Sequence, residues 1–142
     1  MASAREINDR YTAAASAHDL DAIAKLFAPD GRLEDPSGAF EGRAAVIEYW
    51  EQFFRAFPDL EPRDEITVEA DGLVFNEWTA AGTHSGPLET PDGTIEPTGK
   101  RVTLRGADVV EVRDGVIQSH RAYYDQLALL TQLGLVPEAA VS

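Results

Sequence analysis

Over the first part of the chain apolar residues recur at helical spacing, and later they alternate with polar ones, so helices are predicted first and strands after. Ser3-Ala4-Arg5-Glu6 has the form of a capping box, in which a hydroxyl and a carboxylate satisfy the free N–H groups of a first turn. Ile7, Tyr11, Ala14 and Ala15 follow on one face of that helix. His18-Asp19 interrupts the stripe, and Asp19 can cap a second helix presenting Leu20, Ile23 and Phe27. Ala28-Pro29-Asp30-Gly31 ends it, residues 32–35 read as extended, and Pro36-Ser37-Gly38 turns the chain. Beyond Gly42, the residues Val46, Trp50, Phe53, Phe54 and Phe57 make a wide apolar stripe on a third helix, closed by Pro58-Asp59-Leu60.

The period then switches to two. Ile66, Val68 and Ala70 alternate with polar residues, Asp71-Gly72 reads as a tight hairpin turn, and a strand runs from about Leu73 to His84. Residues 85–99, rich in proline and glycine, predict a long loop of the kind that often carries function. Two further strands, about 100–112 and 116–124, meet at Arg113-Asp114-Gly115. Asp125 caps a last helix with Leu127, Leu130 and Leu133, ended by Gly134 and Pro137. Helices followed by a strand meander predict a single α+β domain over 1–142, with three N-terminal helices packed on one curved sheet.

Composition narrows the function. The 142 residues suffice for one buried core, and 44% of them are apolar, which suits a globular chain. No apolar run approaches the roughly 18 residues of a membrane span, and no charged-then-apolar leader opens the chain, so a soluble cytoplasmic protein is expected. Cysteine is absent, which removes disulfides and thiolate chemistry. A net charge of −13 argues against nucleic acid, whose phosphates need a basic stripe. His18, His84 and His120 have no metal-ligand spacing, so no metal is expected.

The strand 100–112 places Asp108 on the same face as Val102, Leu104, Val110 and Val112. A carboxylate on an apolar face is costly unless it is paired, protonated or functional; the plain alternative is water or an Arg partner near the sheet's end. Its neighbours depend on register. A three-residue loop at Arg113-Asp114-Gly115 sets Asp108 opposite His120 and Leu104 opposite Tyr124, with Val116, Gln118, His120, Ala122 and Tyr124 inside; a two-residue turn sets Asp108 opposite Arg121 and flips the strand. The three-residue form is favoured, since its last position suits a left-handed glycine. Asp35 precedes Pro36, which forces it into extended geometry, although a plain turn carboxylate fits as well. Phe27, Trp50, Phe54, Trp78 and Tyr124 can wall a pocket for a flat apolar ring ligand, with His84 and His120 as further candidate contacts.

Two families are resembled. Arg10-Tyr11 and the run DLDAIAKLFAPDGRLEDPSG from Asp19 to Gly38 resemble the opening of bacterial ketosteroid isomerases, and RAYYD from Arg121 to Asp125 resembles their last strand. The resemblance implies Tyr11 as an oxyanion-hole donor, Asp35 as general base, and Asp108, within ADVVEV, as a second donor kept protonated; a neutral Asp in such an isomerase is a worked example in protein chemistry. The middle of the chain, EWTAAGTHSGPL, PTGKRV and GADVV, instead resembles SnoaL-like polyketide cyclases. Both families share a cone-shaped fold, cystatin-like and of the nuclear-transport-factor-two superfamily, with a mixed, largely antiparallel sheet enclosing a pocket. The cyclases use an Asp on the last strand where Ala122 stands, and limonene-epoxide-hydrolase relatives have an Arg where Gly106 stands. Phe27 and Trp50 replace tyrosines that steady the catalytic tyrosine in some isomerases, which implies a less firmly held Tyr11. The resemblance implies a cofactor-independent steroid-type isomerase and a homodimer. The rival readings are an aldol-forming cyclase using His120 with Asp108, and a binder without turnover.

Overall fold

The computed structural model describes residues 2–136. Ser3 caps the first helix, its hydroxyl accepting from the Glu6 N–H at 3.1 Å, and α1 runs Ala4–Ser16. Asp19 accepts from the Ala22 N–H and opens α2, Leu20–Leu26; Gly42 precedes α3, Arg43–Ala56. These are the three helices of the sequence reading. The apolar stripes of α1 and α3 pack together, so that Ile7, Tyr11, Ile23, Phe27, Leu33, Val46 and Tyr49 share a core with Val74, Val110 and Ile117 of the sheet.

One six-stranded mixed sheet carries this layer, in the order β2-β1-β8-β7-β4-β3. Its strands are β1 (Phe27–Asp35), β2 (Gly38–Glu41), β3 (Glu61–Ala70), β4 (Leu73–Thr83), β7 (Arg101–Arg113) and β8 (Val116–Tyr124). Only β1 with β8 is parallel among these pairs. Phe27, expected on the face of α2, is instead the first residue of β1. The 85–99 segment is not a plain loop: β5 (Leu88–Thr90) and β6 (Gly93–Ile95) form a separate hairpin. Asp125 caps α4 (Gln126–Gln132) as expected, while Pro137 lies outside the described residues. No described helix is long and apolar enough to cross a membrane.

Two bulges decide which side chains face the helices. At the β7–β8 turn, Asp114 and Gly115 both take left-handed φ, 55° and 79°, and Arg113 pairs with Val116. That is the two-residue turn matched to strand twist, not the favoured three-residue loop. Alone it would bring Arg121 opposite Asp108. A bulge at Gln118 inserts one residue between the Val112–Ile117 and Glu111–Ser119 pairs and reverses the parity again. Asp108 therefore pairs with Ala122, His120 lies two residues along beside Val110, and Gly106 rather than Leu104 faces Tyr124. His120, Ala122 and Tyr124 point inward as expected; the places expected for Val116 and Gln118 go to Ile117, which is fully buried. A second bulge at Glu65 does the same in β3, since Asp64 pairs with Trp78 but Ile66 with Glu77. Pro62 and Asp64 thus face inward, while Ile66 and Val68 stand outside, 56% and 54% exposed.

His84, expected at the pocket, is buried instead at the root of the β5–β6 hairpin, against Phe57. Its Nδ1 accepts from the Thr98 N–H at 3.2 Å, which leaves the proton on Nε2, and Nε2 has no partner among the described residues. A second proton there would bring an uncompensated charge, and burial pushes the imidazole below its ordinary 6.5. The stabilisation that depends on neutral His84 is complete above that value and is lost as pH falls toward the lowered one. Thermal melts at about pH 7.5 and about pH 5 should show a larger fall in Tm for the wild type than for His84→Gln.

Candidate active site

The concave side of the sheet and the helices α1 and α3 enclose one cavity with two unlike walls. Trp50, Phe53, Phe57, Leu60, Trp78, Val102 and Leu104 make it apolar over most of its surface. Asn8, Tyr11, Thr12, Asp64, Asn76, Asp108 and His120 supply a polar side. The alternation of β4 and β7 places Asn76 beside Asp108, and the helical repeat of α1 puts Asn8, Tyr11 and Thr12 over them.

A hydrogen-bonded chain crosses this polar side. The Trp50 indole N–H donates to the Tyr11 hydroxyl at 3.0 Å. Tyr11 lies 2.7 Å from His120 Nδ1, and His120 Nε2 lies 2.8 Å from Asp108 Oδ2. Asn76 donates to the other Asp108 oxygen at 2.7 Å. With Asp108 ionised, the proton sits on His120 Nε2, so Nδ1 of neutral imidazole accepts from Tyr11. If the imidazole takes a second proton, Tyr11 receives two N–H donors and turns its own proton to the cavity. Burial, with Asp108 nearby adding and the Trp50 bond opposing, holds the Tyr11 phenol well above its ordinary range, so it stays a hydroxyl at neutral pH. Trp50 thus restores the support that the missing tyrosines implied Tyr11 would lack. Asp108 lines the cavity with both oxygens engaged by protein groups, Oδ1 by Asn76 and Oδ2 by His120.

A second branch was not read from the sequence. Asp64 Oδ2 accepts from Thr12 at 2.6 Å and from Asn8 at 3.3 Å. Asn8 and Asn76 exchange hydrogen bonds at 3.2 and 2.9 Å, and Thr67 adds a bond to Asn76. This ties Asp64 to Asp108. Burial foremost, with Asp108 and Asp9 as like charges, raises the Asp64 carboxyl above its ordinary range, against the bonds from Thr12 and Asn8. The bulge that aims Asp64 inward leaves no mark in the local pattern, because Glu61, Arg63 and Glu65 are as polar as Asp64.

Asp35 does not line the cavity with Tyr11 and Asp108. Its Oδ2 accepts from the Tyr49 hydroxyl at 2.9 Å and the Tyr124 hydroxyl at 3.2 Å, and its Oδ1 from the Ser37 N–H at 2.7 Å. The two tyrosines line the cavity and stand between it and Asp35; burial and the Asp35 charge push both phenols up. Of the other expected wall residues, Trp50, Trp78, His120 and Tyr124 are in place. Phe27 is fully buried in the core, and Phe54 stacks on His18 at 4.1 Å rather than facing the cavity.

Such a site, a small pocketed α+β cone with an acid–base chain at one side, defines a class of small-molecule domains. The profile of the SnoaL-like domain matches residues 8–120, and the chain belongs to that family. Among solved structures it is similar to IdmH from Streptomyces antibioticus, a candidate polyketide cyclase, at 26% identity, over 92% of this chain and 98% of that one, TM-score 0.76. It is similar to AclR from Streptomyces galilaeus, a candidate hydroxylase, at 25% identity, over 94% and 97%, TM-score 0.79. A protein with the ketosteroid isomerase-like fold from Catenulispora acidiphila shares the fold, at 22% identity over 92% and 94%, TM-score 0.77.

Gly106 keeps the cavity open: a Cβ there would stand 2.5 Å from a Trp78 ring carbon and 2.6 Å from the Tyr123 carbonyl oxygen. Gly106→Ala should drive the indole inward, weaken binding of β-naphthol about tenfold in a fluorescence titration and destabilise the fold by ~1–3 kcal/mol in thermal melts.

Proposed function

We propose that the chain is a cofactor-independent enzyme that enolises a ketone on a flat, largely apolar ring compound. The observation that carries this reading is the chain Trp50–Tyr11–His120–Asp108 at the polar side of an otherwise apolar cavity. As the α C–H bond breaks, its electron pair becomes the enolate double bond and charge gathers on the carbonyl oxygen. In the doubly protonated state of His120, with Nε2 held by Asp108, Nδ1 and Trp50 both donate to Tyr11; Tyr11 then turns its own proton to that oxygen, and the imidazolium can resupply it. Low polarity around the chain strengthens each of these bonds. An enolate attacking a second carbonyl of the same molecule closes a ring, the aldol step of a polyketide cyclase, and membership in the SnoaL-like family supports that outcome.

A double-bond isomerase with Asp35 as base is the second reading. It is favoured by Tyr124, which lines the cavity while its hydroxyl reaches the Asp35 carboxylate. Exchange of the α protons of β-tetralone in deuterated water, followed by NMR, tests both. Tyr11→Phe should slow exchange about 10²-fold, the usual loss for one oxyanion donor. Asp35→Asn should cost less than about tenfold under the first reading and about 10³-fold under the second. Exchange indifferent to Tyr11 would leave only a binding role.

The outer sheet face supports a homodimer. Ile66, Val68, Phe75 and Tyr123 are exposed on neighbouring strands, with Ala107 and Val109 between them by register. An apolar patch of this kind on a sheet marks an association surface. Light scattering should give twice the chain mass, and Phe75→Lys should give the monomer with the cavity's ligand binding retained.

A further inference from the structure

We propose that Asp64 is the general base of this site, the group that takes the α proton in the enolisation argued above, on which this assignment rests. Tyr11, His120 and Asp108 supply the acid half of the reaction, so a proton acceptor is still required. Two described carboxylates line the cavity, Asp64 and Asp108. Asp108 has both oxygens engaged, by His120 and Asn76. Asp35 is similarly engaged on both oxygens and lies behind Tyr49 and Tyr124. Asp64 differs from both: Thr12 and Asn8 hold Oδ2, and Oδ1 accepts no hydrogen bond from any described residue.

The backbone also singles out this position. The bulge at Glu65 turns Asp64 to the concave side next to Trp78, whereas the strand beyond it turns its apolar residues outward. Bulges that re-aim one side chain recur beside active sites. Two donors on one oxygen fix the carboxyl plane without blocking the other oxygen, which is the arrangement a positioned base requires. The raised proton affinity of Asp64, from burial and from Asp108 and Asp9, moves it toward the range where a base works well near neutral pH. The Asn8–Asn76 bridge to Asp108 then holds base and acid at a set spacing.

The step balances within the site. The C–H electron pair forms the enolate double bond, the carbonyl π pair moves to the oxygen held by Tyr11, and the proton passes to Asp64 Oδ1. The same carboxyl returns a proton to carbon, or to the alkoxide formed in an aldol closure.

The test uses α-proton exchange of β-tetralone together with binding of β-naphthol, a flat analogue of its enol. Asp64→Asn and Asp64→Ala should slow exchange by about 10²- to 10⁴-fold, while β-naphthol affinity stays within about threefold of wild type. Added formate should restore exchange in Asp64→Ala in proportion to its concentration, which a merely structural role would not permit. Exchange within about tenfold of wild type in Asp64→Asn overturns the assignment. So does loss of exchange accompanied by loss of β-naphthol binding and no rescue, which would make Asp64 a support of the fold. Absence of exchange in the wild type overturns the enolising reading itself, and this assignment with it.

Discussion

The buried pair of His120 and Asp108 is the interaction on which the rest depends. Their side chains are 8% and 12% exposed, on strands whose inward neighbours are mostly apolar. An ionisable pair in such a place is tolerable only if every remaining polar atom finds a partner, because the desolvation cost falls on any group left alone. Asn76 supplies one partner from β4 and Tyr11 supplies another from α1. Trp50 then completes Tyr11 from α3. One buried polar pair thus sets the relative position of two helices and three strands. The same bonds that satisfy it build the acid side of the cavity.

The opposing walls follow from this division. Polar groups concentrate where α1 crosses β4 and β7, and Asn8 and Asn76 carry the network on to Asp64. Aromatic and aliphatic side chains of α3 and the far end of β7 fill the remainder. A carbonyl compound entering this space would find donors on one side only, so its orientation is set by hydrogen bonding and its affinity by apolar contact. Asp35, with its two tyrosines, closes another side of the cavity without opening onto it.

The elements themselves were readable in the chain. Ser3, Asp19 and Asp125 cap the helices they were expected to cap, because a cap is a contact three residues long and needs nothing from elsewhere. The inward face of β7, Asp108 included, was likewise visible as alternation. The β5–β6 hairpin was missed, because Leu88–Thr90 and Gly93–Ile95 are too short to show a period amid prolines and glycines. His84 looked like a pocket residue because it continues the inward parity of β4, yet the chain leaves the sheet there and folds it under the hairpin.

By itself, then, the sequence determined the order and type of the long elements, the apolar faces that press helices onto a sheet, and the presence of Tyr11 and Asp108 on those faces. These are local properties, set by spacing and caps within a few residues. Tertiary structure decided which residues meet across strands. The bulges at Gln118 and Glu65 each shift parity by one residue, bringing His120 to Asp108 and turning Asp64 inward. A bulge is selected by the pairing of two distant segments and by the buried polar groups that pairing must satisfy. No single strand encodes that choice, which is why the proton chain and the free Asp64 oxygen are properties of the fold.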